Sequence, residues 1–191
     1  MRLTLLLCAA AALIQAQSSQ AQSSPPPAGL EPQWDIAIVL DEIAANGARL
    51  LPALDKVDAA SWVAKGASDT YVAQWQSCKE QARAIVDGAK ALARNAERLS
   101  AALELFFRIE GLERMLGSIG EGARKYQGAQ TAQTLAALYA EGGANRERFR
   151  RYMINLASER EHQFEVMDKE AQRCRATLMA PTPPKTTGRK K

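Results

Sequence analysis

Glu159-Arg160-Glu161-His162 is the stretch of this 191-residue chain whose residue types and spacing come nearest to chemistry. Glu-x-x-His on a helix sets a carboxylate and an imidazole one turn apart on one face, as di-iron carboxylate bundles do to hold metal. Glu104, Glu110 and Glu113, on another predicted helix, are the carboxylates that would complete such a site. Two features oppose it. Such sites use the motif twice, and His162 is the single histidine of the chain. Ser158 to Gln163 is also a dense polar run, as a solvated helix face would be. Glu159 and His162 therefore stand as a metal candidate behind the surface reading, and no cofactor is expected.

Other catalytic chemistry finds no foothold. A Ser-His-Asp arrangement needs a histidine held beside a nucleophile by a third group. No Gly-x-Ser-x-Gly elbow is present, and Ser118 lies in a glycine-rich stretch without the strand-to-helix context. The phosphate loop, the dinucleotide fingerprint and the haem-attachment motif are all missing. Carboxylates are plentiful, yet no pair stands in the opposed environments that acid/base hydrolysis needs. The expectation is a protein without enzymatic activity.

Arg146, Arg148, Arg150 and Arg151 gather near the start of the last predicted helix, with Phe149 and Tyr152 alongside. They form a candidate patch for docking an anion or a partner. The competing reading is a wetted outer face. A helix start disfavours cations, so the cluster gains nothing from the helix dipole.

What the cysteines do depends on the compartment. Met1-Arg2 is a short positive start, Leu3 to Ile14 an apolar run broken only by Thr4, and small and polar residues follow. That is the layout of a cleavable secretory signal over residues 1–21, with the cut after Ala16 or Ala21. The expected location is secreted or periplasmic. Removal of the signal takes Cys8 with it and leaves Cys78 and Cys174, an even pair in an oxidising compartment. A Cys78–Cys174 disulfide is predicted. It is linked to a chain reversal at Gly142-Gly143, because one straight helix from Ala129 would carry Cys174 roughly 70 Å away.

The formal charge of +4 belongs to the ends of the chain. Arg2 and the tail residues Lys185, Arg189, Lys190 and Lys191 are five of the 25 basic residues; the other 20 face 21 acidic ones. A nucleic-acid-binding domain is not indicated, since that needs basic residues clustered on one folded face. The tail itself suits a weak electrostatic contact with an anionic envelope surface.

The elements that would position these residues are all helical. Residues 22–31 are a Pro/Ser/Gln-rich linker and 181–191 a basic disordered tail, neither able to bury a core. Residues 32–180 are predicted to form one all-α domain, an up-and-down antiparallel bundle of four to five helices. Helix one starts near Pro32, with Pro52 expected to kink or divide it. Ala60–Ala67 is a connector, where Trp62 is expected to pack in the core, with capping the bundle end or lining a shallow site as the other readings. Ser68-Asp69 caps a second helix whose face is Val72, Trp75, Cys78, Ala82, Ile85, Ala89 and Leu92. A turn near Asn95 precedes helix three, which glycines 117, 120 and 122 are expected to end. A helix over Ala129–Ala140 follows, then a last one capped by Asn145. Its apolar stripe runs Phe149, Tyr152, Met153, Leu156, Phe164, Met167, Ala171, Cys174 and Leu178, and is expected to face the core.

Function follows only in outline: an exported cell-envelope protein acting through protein–protein contacts, with an unknown partner or with itself. The alternative is a small-ligand or metal-binding bundle.

Overall fold

The computed structural model describes residues 33–179, in which six helices and no strand occur. The signal, the 22–31 linker and the 181–191 tail lie outside the described residues, as does the side chain of Trp34. The all-α bundle that the periodicity predicts is the fold. Five long helices build it: α1 (Gln33–Asp55), α3 (Thr70–Ala93), α4 (Leu99–Tyr126), α5 (Ala129–Glu141) and α6 (Gly143–Met179). A short α2 (Ala59–Ala64) occupies the predicted connector.

In α1, Ile36, Val39, Leu40, Ile43, Leu50 and Leu54 fall on one helical face, one to seven residues apart, and are buried. Pro52 does not divide this helix. It sits exposed in the last turn, where a missing N–H forfeits one bond to a helix about to end. α1 packs on α3, α5 and α6, and α4 packs on α3 and α5. The core is dominated by Leu, Ile and Ala, with Trp62 and Phe149 its largest fully buried side chains.

Helices two and three of the sequence reading are separate, since residues 94–98 break α3 from α4. The three glycines do not end α4, which runs on to Tyr126. Glycine costs a helix interior about 1 kcal/mol, which tertiary packing easily outweighs. The stop comes at Gly128, whose φ of 141° is open to glycine and strained for other residues. Gly122 has a different use. A Cβ there would lie 2.6 Å from Trp62 Cζ3 and 2.9 Å from Tyr71 Cε1, so only glycine lets the aromatic rings close on the α4 backbone.

Trp62 is therefore a core plug. It meets Tyr71 edge-on at 5.6 Å and stacks on Tyr126 at 6.3 Å between ring centroids. Gln127 ties the same end together. Its Oε1 accepts from Trp62 Nε1 and from the Asp58 amide, and its Nε2 donates to the Lys56 carbonyl. Asp58 caps α2, its Oδ1 accepting from the Ser61 amide at 3.1 Å.

Candidate functional site

α6 is the helix that does not fit the bundle. At 37 residues it is nine longer than α4, the next longest, and spans roughly 55 Å at 1.5 Å per residue. Phe149, Tyr152, Met153 and Leu156 seat its first half against the bundle. Tyr152 Oη donates to the Ala96 carbonyl at 3.0 Å. Arg160 makes the last tie, donating to the Glu97 carbonyl at 3.1 Å and its carboxylate at 3.0 Å. From Glu161 to Met179 every residue is exposed.

The second half of the predicted stripe is thus not core. Phe164 is 73% exposed, Met167 70% and Leu178 80%. Periodicity placed these residues on one face, but the other helices are too short to reach it. Among the described residues, the side-chain bonds of this arm are local to the helix, such as Gln172 to Asp168 and Arg173 to Glu170. Phe164 also overhangs a shallow groove with Leu99, Ala157 and Arg160, where the arm leaves the bundle.

The predicted disulfide is overturned by the same geometry. Cys78 is fully buried on α3, Cys174 is exposed on the arm, and both thiols are free. No residue of α6 comes within 8 Å of α3, Cα to Cα, whereas a disulfide needs Cα atoms about 4.4–6.8 Å apart. The break between α5 and α6 falls at Gly142, as expected, but Gly143 and Asn145 lie inside α6. The predicted chain reversal does not occur there: Tyr139 meets Glu113, Arg150 meets Glu110, and Tyr152 and Arg160 reach Ala96 and Glu97, so α6 continues along α4 in the direction of α5 and carries Cys174 away. Burial pushes the Cys78 thiol up to about 12.

The four arginines divide between two roles. The Arg146 guanidinium lies 3.6 Å over the Tyr139 ring and donates to the Tyr139 carbonyl at 2.8 Å, closing the end of α5. Arg150 reaches α4, 3.1 Å from the Glu110 carboxylate, and also lies over the Phe106 ring. Both line a cleft of about 140 Å³ whose walls also carry Glu110, Glu113 and Glu147. The arginines are balanced there by acids, so the cleft is poorly suited to an anion. Arg148 is half-buried and Arg151 exposed, and neither lines this cleft. Beside the cleft, burial holds the Tyr139 phenol up at about 12, and its hydroxyl donates to Glu113 Oε2 at 3.2 Å.

Glu159 is half-buried and His162 exposed, one turn apart on α6, where Glu159 accepts from Gln163 Nε2 at 2.9 Å. Glu110 and Glu113 face Arg150 and Tyr139, and Glu104 pairs with Arg108 at 2.6 Å on its own helix. Among the described residues, no group of three or more His, Cys, Asp or Glu side chains could hold a metal ion. Ser118 Oγ donates to Gln74 Oε1 at 2.8 Å and serves as a tie between α3 and α4. Sequence reasoning missed Gln127 and also Asn46. Asn46 is a buried polar residue whose Nδ2 donates to the Leu138 carbonyl at 2.7 Å. Nothing in their sequence neighbourhood marks either one.

No helix among the described residues is long and apolar enough to cross a membrane. No protein-family model, curated protein or solved structure matches the chain.

Proposed function

We propose that the chain is an exported, non-enzymatic protein of the cell envelope, secreted or periplasmic, that works through helix-mediated protein contacts. The exposed half of α6 is the contact surface. One observation carries this reading: Phe164, Met167, Ala171, Cys174 and Leu178 follow one another at three- and four-residue steps and are left exposed by the described residues. Single exposed apolar residues are ordinary, but a seam of this spacing is the kind that pairs with another helix. Covering Phe164, Met167 and Leu178 contributes roughly 1.5–3 kcal/mol each. Association itself costs about 4–15 kcal/mol. The contact is accordingly weak and reversible.

A photoreactive amino acid in place of Phe164, activated in living cells, tests the reading. The expected result is a covalent adduct of higher mass in the envelope fraction. Absence of any adduct, or recovery of the protein in the cytosol with residues 1–21 still attached, would refute it.

A further inference from the structure

We infer that the occupant of the α6 seam is a second copy of this chain, paired with the first as a short antiparallel coiled coil. This rests on the contact reading above and names its partner. The seam is a heptad pattern, with Phe164, Ala171 and Leu178 at one core position and Met167 and Cys174 at the other. Charge along the arm is polarised. Residues 159–170 carry Glu159, Glu161, Glu165, Asp168 and Glu170 against Arg160 and Lys169, whereas residues 171–179 carry Arg173 and Arg175 and no acid. A parallel pair sets like halves side by side. An antiparallel pair turns the acidic side of the seam in one copy toward the basic end of the other, and a two-fold axis satisfies both at once. In the register below, Asp168 and Glu170 are the acids that lie under the second helix, while Glu159, Glu161 and Glu165 fall beyond its last described residue.

The register follows from the flanking charges. Setting Met167 against Leu178 of the second copy, and Ala171 against Cys174, brings Asp168 next to Arg175 on both sides. Among the described residues neither Asp168 nor Arg175 has an ion-pair partner within its own chain; Asp168 only accepts from Gln172. The second helix then ends opposite Val166. That is roughly 13 Å short of Ala157 at 1.5 Å per residue, so the two bundles do not collide.

The test is the solution mass of the protein, expressed from its full reading frame and purified under reducing conditions, by sedimentation from about 1 to 200 µM. The mass is expected to rise from monomer toward dimer across that range. Met167→Glu and Leu178→Glu each hold it at the monomer. Asp168→Arg alone weakens the dimer at least several-fold, and Asp168→Arg combined with Arg175→Asp restores it. A strict monomer at the top of the range overturns self-pairing. Failure of the double exchange to restore the dimer overturns the antiparallel arrangement. A photoreactive residue at Met167 in cells separates this inference from the broader one. Adducts only with a different polypeptide overturn self-pairing and leave the contact reading standing; no adduct overturns both.

Discussion

Gly122→Ala tests how the bundle end is packed, because two opposing effects can be sized. The added Cβ would lie 2.6 Å from Trp62 Cζ3, 3.1 Å from Trp62 Cε3 and 2.9 Å from Tyr71 Cε1. Carbon atoms prefer about 3.5–4.0 Å, so the rings must move. Trp62 has nowhere to go, being fully buried and tethered through its indole N–H to Gln127 at 3.2 Å. Overpacking of this kind costs about 1–3 kcal/mol, and the helix preference of alanine over glycine returns up to about 1 kcal/mol. The net expectation is a loss of about 1–2 kcal/mol. Gly117→Ala and Gly120→Ala are internal controls on the same helix, since an added Cβ meets nothing within 4 Å at either position. There only the helix preference acts, and stability should rise by about 0.5–1 kcal/mol. A domain of this size shifts about 2–4 °C per kcal/mol, so thermal unfolding followed by circular dichroism resolves the difference in sign. If all three variants are stabilised, Trp62 does not lie against α4 and the packing argument fails.

Three further outcomes are expected. Thiol titration of the native protein at pH 8 should find Cys174 reacting at once and Cys78 only after unfolding, since Cys78 is buried with its thiol pushed up to about 12; an absence of free thiols before and after denaturation would reinstate the Cys78–Cys174 bridge. Stability should fall as pH rises from about 10 to about 12. The unfolded chain loses the Tyr139 proton near 10, but the folded chain holds it to about 12, so in that window the native state binds more protons; Tyr139→Phe should flatten the fall, and an unchanged slope would count against burial of that phenol. Deleting residues 164–191 keeps the Arg160–Glu97 tie and should change bundle stability by less than about 0.5 kcal/mol, whereas Leu156→Ala, inside the core, should cost about 2–5 kcal/mol; a truncation as damaging as Leu156→Ala would show that the arm is part of the bundle.

The parts of the fold legible in the sequence are those fixed by local periodicity. The face of α3 is one: Cys78, Ala82, Ile85, Ala89 and Leu92, five of the seven residues assigned to it, are buried, while Val72 and Trp75 pack at its edge. The α5 boundary is another, Ala129–Glu141 against an expected Ala129–Ala140. Glycine misled where its local meaning and its tertiary meaning diverge. Gly117, Gly120 and Gly122 read as a helix end because isolated glycine weakens a helix. Yet α4 is held along its length by Leu112, Leu116 and Ile119 in the core, and Gly122 is there to admit a ring. The true stop at Gly128 is a backbone conformation, which composition does not display. Gln127 and Asn46 were invisible for a related reason, since their partners lie 69 and 92 residues away in sequence, at Asp58 and Leu138.

The error over Cys174 has the most consequence for function. Apolar spacing states which face of a helix avoids water and leaves open which surface covers it. Phe149 to Leu178 forms one stripe by spacing, and treating it as one surface put Cys174 in the core beside Cys78. Length divides the stripe. α1, α3 and α4 hold 23, 24 and 28 residues, so a bundle built from them covers only part of a 37-residue helix. The covered part ends at Leu156 and the bare part begins near Glu161. A bare helix of some twenty residues is marginal in water on its local bonds alone, and this one adds an apolar seam and a charge polarity that the bundle does not use. The residue types that suggested metal chemistry, Glu159 and His162, sit where the covered and bare parts meet. Their polarity there is what a helix leaving its bundle requires, and the surface that remains to be explained is the seam beyond them.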